Sequence, residues 1–133
     1  MKTWEEIYNT GITEIDKQHQ MFVGTLNKLY EAIELSKEKE EMEEIFEGLV
    51  NYGKYHFATE EKYFDAFHYE GASEHKTKHE EFRKRIEGYQ EKLNDDKMEF
   101  TNELVGFLED WLANHIMDVD KKYVPCFKEH GLK

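Results

Sequence analysis

The sequence predicts an all-α fold, an antiparallel up-down-up-down four-helix bundle with an N-terminal arm and a short C-terminal tail. Its 133 residues include one proline and eight glycines, which suits long helices joined by short turns. Apolar residues recur at intervals of three and four along four successive segments, as in helices that pack one face against a core. The length of the chain predicts a single domain over residues 1–133.

The first segment combines an arm with a long amphipathic helix. Residues 1–12 show no helical period and form the predicted arm, in which Trp4 would pack against the bundle. The apolar face of the following helix contains a histidine. Its positions are Ile15, His19, Phe22, Leu26, Leu29 and Ile33. A turn is predicted at Ser36 and the charged residues 37–41.

The second helix is predicted to begin among glutamates at positions 40–44, where the helix dipole favours negative charge. Its inward face carries a histidine and a glutamate among apolar residues. The positions are Met42, Ile45, Leu49, Gly53, His56, Glu60, Tyr63 and Phe67. Gly71 and Ser73 predict a break before the third helix.

The third and fourth helices repeat this spacing and again include histidines. The third has His75, His79, Phe82, Ile86, Tyr89 and Leu93, and the fourth has Leu104, Leu108, Trp111, Leu112 and His115. Residues 94–96 predict the turn between them, and Asp96 with Glu99 resembles a capping box. Pro125 is expected to end regular structure and to begin the tail.

Charge and composition exclude several classes of function. A net charge of −12 would repel nucleic acids and anionic membranes, so neither is expected as a partner. No apolar run approaches the roughly 20 residues that span a bilayer, and the N-terminus has no apolar signal region. The single cysteine, Cys126, has no internal disulfide partner. These features favour a reducing, cytoplasmic location.

Two histidine motifs suggest a metal site. In His56-x-x-x-Glu60 and His75-x-x-x-His79 the paired side chains lie four residues apart, on the same face of a helix. Either pair alone is also explained by solvated surface residues. Six ionisable residues in inward positions of four helices are harder to explain, because a buried ionisable group without a partner is costly. A shared metal satisfies them together; the six are His19, His56, Glu60, His75, His79 and His115.

Asp120 is a seventh candidate whose position is less clear. Five residues advance about 500° in an α-helix, so Asp120 would lie some 140° from His115. It reaches the same site only if the fourth helix ends or bulges between the two. Helical periodicity alone would place Asp120 in solvent.

The complete pattern resembles the hemerythrin family, and in particular its bacterial and archaeal single-domain members. His19, His56-x-x-x-Glu60, His75-x-x-x-His79 and His115-x-x-x-x-Asp120 follow that family's ligand pattern in order and spacing. Further matches surround them at Gly11-Ile12, Ile15-Asp16-x-Gln18, Glu60-Glu61 and Trp111-Leu112. Trp4 also falls where the family has an arm tryptophan.

The resemblance implies a non-haem di-iron centre with an oxo or hydroxo bridge. It assigns His75, His79 and His115 to one iron, and His19 and His56 to the other. Both irons would share the carboxylates of Glu60 and Asp120. The iron bound by His19 and His56 then lacks one octahedral ligand, and dioxygen would bind there.

Reversible dioxygen binding is the function that the resemblance implies, as a carrier, store or scavenger and not as an enzyme. The apolar pocket around the open position is expected to consist of Phe22, Phe57, Trp111, Leu112 and Ile116, although each could equally be ordinary core. Donor type alone leaves copper, nickel and zinc open. The alternative is a di-iron enzyme or sensor that handles peroxide or nitric oxide at the same position. Partner proteins and oligomeric state are not determined by the sequence.

Overall fold

The structure, a computed structural model, describes residues 9–94 and 100–133, most of which are helical. The α-helices are α1 (Thr13–Glu34), α2 (Glu38–Tyr52), α3 (Ala58–Phe67), α4 (Ala72–Asn94), α5 (Thr101–Asp110) and α6 (Val124–Glu129). A π-helical segment, Gly53–Phe57, joins α2 directly to α3. A second, Trp111–Val119, continues α5 and leads through a 3-10 turn, Asp120–Tyr123, into α6.

Four long helical rods form the bundle, which confirms the predicted fold. The rods are α1, α2 with α3, α4, and α5 with its π-helical continuation. The predicted arm and Trp4 fall largely on residues 1–8, and the capping box falls on residues 95–99. Residues 1–8 and 95–99 lie outside the described residues, whereas residues 9–12 are described and, as predicted for the arm, are not helical.

The turn after α1 is short because it closes in a Schellman motif. The Lys37 N–H donates to the Ala32 carbonyl at 2.7 Å, and the Ser36 N–H donates to the Ile33 carbonyl at 3.1 Å. Ser36 adopts a left-handed conformation with φ of 55°, as this motif requires. The chain therefore reverses immediately and starts α2 at Glu38.

The core of the described bundle consists of two apolar clusters. The larger extends from Phe22 through Leu49 and Phe82 to Ile116. The smaller contains Ile12, Ile15, Phe64, Tyr123 and Phe127. The helix faces agree with the predicted positions, except that Ile33, Tyr63, Phe67 and Leu93 are only half-buried. The ionisable residues predicted as ligands lie between the two clusters. Aromatic rings of the larger cluster contact His79, and aromatic rings of the smaller cluster contact His75.

The prediction for Pro125 is wrong, because the chain remains helical to Glu129. Proline lies in the first turn of α6, where its missing N–H leaves no hydrogen bond unmade. This short helix buries Phe127 in the smaller cluster and so covers one end of the bundle. Within the described residues, none of the helices is long and apolar enough to span a membrane.

Candidate metal centre

All seven residues predicted as metal ligands are brought together and buried. Each has at most 3% of its surface exposed; they are His19, His56, Glu60, His75, His79, His115 and Asp120. The two remaining histidines, His68 and His130, are exposed, as expected for surface residues. Six of the seven side chains come from the four rods of the bundle, and Asp120 comes from the 3-10 turn that follows the fourth.

The π-helical segment Trp111–Val119 explains how Asp120 reaches the site. In a π-helix each N–H bonds to the carbonyl five residues earlier, so residues five apart lie nearly above one another. His115 lies inside this segment and Asp120 follows it directly. Asp120 is therefore fully buried, where α-helical periodicity would place it in solvent. His56 also lies in a π-helical segment, Gly53–Phe57.

The two oxygens of Asp120 face different sets of histidines. Its Oδ1 lies 2.8 Å from His75 Nε2 and 3.0 Å from His115 Nε2. Its Oδ2 lies 2.8 Å from His19 Nε2 and 3.2 Å from His56 Nε2. The carboxylate thus spans two neighbouring positions, each with two or more imidazole nitrogens.

Glu60 lies between the same two positions. Its Oε1 is 3.0 Å from His79 Nε2 and 3.1 Å from His56 Nε2. A longer contact of 3.6 Å joins it to His75 Nε2. The donor atoms therefore form two adjacent clusters, and the carboxylate of each also lies close to a histidine of the other. One cluster is Glu60, His75, His79 and His115, and the other is His19, His56 and Asp120.

Several of these short contacts are not hydrogen bonds. The Nε2 atoms of His75, His79 and His115 have no hydrogen-bond partner, although each lies within about 3 Å of a carboxylate oxygen. Both oxygens of Glu60 and Oδ1 of Asp120 are likewise buried and unpaired. Adjacent ligands of an octahedral metal at about 2.1 Å lie about 3 Å apart. The residues therefore fit metal ions that satisfy these atoms together.

Without a metal, the histidines and carboxylates of the cluster shift one another's pKa values. Burial lowers the pKa of His56, but Glu60 and Asp120 outweigh it and raise the value to about 10. The same two carboxylates raise the pKa of His75 to about 9 against its burial. The histidines in turn hold the pKa values of Glu60 and Asp120 below their usual range, although burial opposes this. Burial lowers the pKa of His115, which favours its neutral, metal-binding form. A metal entering the site must displace protons.

Two ligand histidines have side-chain partners that the sequence reasoning did not single out for a role. The Nδ1–H of His56 donates to Gln18 Oε1 at 2.7 Å, and that of His79 donates to Glu61 Oε2 at 3.1 Å. Each bond fixes the tautomer and leaves Nε2 directed at the site. Gln18 and Glu61 adjoin the predicted ligands His19 and Glu60 in the sequence, but each bonds to a histidine of another helix, so the sequence did not indicate these contacts.

Aromatic rings pack tightly around the imidazoles. Phe57 stacks on His79 with ring centroids 3.9 Å apart, and Trp111 stacks on His115 at 3.8 Å. The predicted pocket residues are all buried; they are Phe22, Phe57, Trp111, Leu112 and Ile116. Ring contacts place two of them, Phe57 and Trp111, beside the ligands of the first cluster.

Two buried tyrosines beside the site were not predicted. Tyr52 stacks on His56 at 5.1 Å, and its hydroxyl accepts a hydrogen bond from Trp111 Nε1 at 3.0 Å. Tyr123 packs against His75, with ring centroids 5.7 Å apart. Burial, and then the nearby carboxylates, raise the pKa values of both hydroxyls well above normal, so both keep their protons. Their positions, four residues before His56 and three after Asp120, are the only sequence signal.

Comparison with known proteins gives a consistent result. The family model described as "Hemerythrin HHE cation binding domain" matches residues 10–127. A bacteriohemerythrin of Pseudomonas aeruginosa is 37% identical over 125 residues, covering 94% of this chain and 80% of the relative. A myohemerythrin of Riftia pachyptila is 28% identical over 120 residues, covering 90% of this chain and 88% of the relative.

The three-dimensional comparison agrees with the sequence comparison. A crystal structure of wild-type hemerythrin superimposes with a TM-score of 0.84 at 28% identity, covering 95% of this chain and 97% of that chain. The matched family region contains all seven buried candidate ligands. The predicted resemblance is therefore confirmed, and the chain belongs to the hemerythrin family.

Proposed function

We propose that this protein binds dioxygen reversibly at a non-haem di-iron centre. The observation that carries the proposal is a pair of buried donor clusters whose two carboxylates each lie close to histidines of both clusters. His75, His79 and His115 would hold one iron, and His19 and His56 would hold the other. Glu60 and Asp120 would serve both, which agrees with the distances from their oxygens to both sets of histidines.

The donor set supports iron over a structural zinc ion. Structural zinc sites commonly include cysteine and close at four ligands. These clusters contain only imidazole and carboxylate donors, which suit iron, and their carboxylates lie close to histidines of both positions. The position formed by His19 and His56 has one imidazole fewer than the other, so it is the position left open to a small molecule.

The surrounding side chains exclude water from the site. Dioxygen is small and apolar, and two ferrous ions, when bound, supply the electrons that it accepts reversibly. Phe22, Leu112 and Ile116 are buried in the larger apolar cluster and are proposed to enclose the open position. Phe57 and Trp111 stack on the imidazoles of His79 and His115 and cover one face of each ring with apolar surface.

A binding protein, and not an enzyme, is the proposed class. The five proposed pocket residues are at most 8% exposed, which fits a small ligand better than a larger substrate. Dioxygen is the proposed ligand. We also propose a cytoplasmic location, since the single cysteine makes no use of an oxidising compartment.

The test is an absorption spectrum recorded under argon, then in air, then after degassing, with metal analysis of the same sample. We expect two irons per chain and a charge-transfer spectrum that appears in air and disappears on degassing. One metal per chain, or zinc in an iron-replete preparation, would contradict the di-iron centre. Sustained turnover of peroxide or nitric oxide with a reductant would instead favour the enzyme alternative.

A further inference from the structure

The two metal positions differ in the group that accepts the hydrogen bond from the Nδ1–H of a ligand histidine, the ring nitrogen that faces away from the metal position. At the open position, His56 donates its Nδ1–H to the neutral amide oxygen of Gln18. At the other position, His79 donates its Nδ1–H to the carboxylate of Glu61. The two ligands are the same chemical group, but one has an uncharged acceptor and the other has a charged acceptor.

A chain of hydrogen bonds fixes the orientation of Gln18. The Thr59 hydroxyl donates to the Tyr55 carbonyl at 2.8 Å, so its oxygen is left to accept from Gln18 Nε2–H at 3.0 Å. With its amide nitrogen engaged there, Gln18 presents Oε1 to His56 at 2.7 Å. His56 is thereby restricted to the tautomer whose Nε2 faces the metal position.

Arg83 supports the negative charge of Glu61. Its guanidinium lies 3.7 Å from Glu61 Oε2 and also pairs with Glu80. The same group lies over the ring of Phe57 at 5.4 Å, which keeps it beside the site. Glu61 is 28% exposed, so its contact with Arg83 is partly shielded from water.

We propose that Gln18 and Glu61 are positioning residues that make the two metal positions unequal, which rests on the proposed di-iron function. A carboxylate draws the Nδ1 proton of His79 towards itself and increases the electron density on Nε2, so His79 binds its metal more strongly. The amide of Gln18 exerts a weaker pull on the Nδ1 proton of His56. The metal held by His79 is therefore bound more tightly and oxidised more readily than the metal at the open position.

Release of iron to a ferrous chelator tests this in the full-length, reduced, iron-loaded protein. The wild type should lose its two irons in two phases, with the open position emptying first. Glu61→Gln removes the charge and keeps an acceptor, and it should accelerate the slow phase by about tenfold to a hundredfold. Gln18→Glu supplies a charge at the other position and should slow the fast phase. Glu80→Gln is the control. It removes the charge of another carboxylate that pairs with Arg83, contacts no ligand histidine and should change neither phase.

Opposite effects of the two variants on separate phases support the proposal, because a purely structural role would destabilise both positions together. Equal changes in both phases, or no change, would overturn it. Fewer than two irons per chain in the wild type would instead contradict the di-iron function.

A measurement without variants covers the case in which a variant fails to fold. The measurement is the proton chemical shift of each Nδ1–H in nitrogen-15-edited NMR spectra of the zinc-loaded wild-type protein. The Nδ1 proton of His79 should resonate further downfield than that of His56, because its acceptor is charged. The reverse order would overturn the proposal.

Discussion

At the scale of single residues, Asp120 links the two donor clusters more directly than any other described side chain. Its two oxygens are directed to separate sets of histidines, at distances of 2.8 to 3.2 Å. The nearby Asp118 is exposed, although it is closer in sequence to His115. The two aspartates therefore differ in where the backbone places them, so Asp118 is a matched control for substitutions of Asp120.

Asp120→Ala is expected to lower the iron content well below two per chain, because both metal positions lose an oxygen ligand. Asp118→Ala should leave the iron content nearly unchanged. Elemental analysis after identical iron loading checks both. An equal loss in the two variants would contradict a bridging role for Asp120.

Leu112→Ala tests the water-excluding role of the apolar pocket. Leu112 is 3% exposed, so the cavity should cost about 2–5 kcal/mol of folding free energy. We expect faster decay of the oxygenated spectrum at matched iron loading, because water and protons enter more easily. The measurement is the absorbance of the oxygenated form over time.

Leu108→Ala is the control, because Leu108 is equally buried and lies one turn earlier in the larger cluster. It should destabilise the fold without accelerating that decay. If Leu112→Ala folds and decays at the wild-type rate, Leu112 is ordinary core.

At the scale of elements, the ends of helices determine how tightly the bundle can reverse. After α1, α3 and α6 the described chain has a residue in the left-handed conformation (Ser36, His68 and Gly131), and the N–H of the next residue bonds to the carbonyl five residues earlier. Their φ angles are 55°, 53° and 91°. Glycine adopts this conformation without strain, whereas serine and histidine do not.

Ser36→Gly should therefore raise the free energy of unfolding by roughly 0.5–1 kcal/mol. The relief of strain exceeds the added freedom of the unfolded chain at this position. Urea denaturation of the metal-free protein measures the change. Gly131→Ala is the opposite control and should destabilise, because alanine is strained at a φ of 91°. A lower stability for Ser36→Gly would show that the serine side chain stabilises the turn.

At the scale of the whole molecule, the centre makes the pH dependence of stability differ between the metal-free and the metal-loaded protein. In the metal-free protein, the raised pKa values of His56 and His75, about 10 and 9, favour the folded state at low pH. That contribution is complete below the unfolded value of about 6.5 and is lost as pH rises through 9 to 10. The lowered pKa values of Glu60 and Asp120 add stability that is lost as pH falls below about 4.

The metal-free protein should therefore lose stability steadily between about pH 6.5 and pH 9.5. In the metal-loaded protein the histidines are already deprotonated, so stability should not fall over this range. Urea denaturation of both forms at several pH values gives the two slopes. A flat curve for the metal-free protein would show that these histidines are not protonated in its folded state.

Much of the fold and the proximity of most candidate ligands follow from local patterns. Spacings of three and four residues predicted four amphipathic rods and placed six ionisable side chains on their inner faces. These inferences succeeded because an α-helix has a fixed period, so inward position can be read directly from the sequence. The extension of one domain over all 133 residues and the roles of the individual ligands remain predictions.

Other features depend on tertiary structure. Asp120 reaches the site only because the fourth rod becomes π-helical at Trp111, a change that no local pattern indicates. The helix after Val124, contrary to the expectation for Pro125, forms because Phe127 is buried against Phe64 and Tyr123. The different acceptors of His56 and His79 likewise arise from contacts between separate rods or turns. The sequence by itself determined which residues face inwards, because that depends on helical period. Tertiary packing decided where the period changes and which polar atoms meet, because those depend on contacts between residues far apart in the chain.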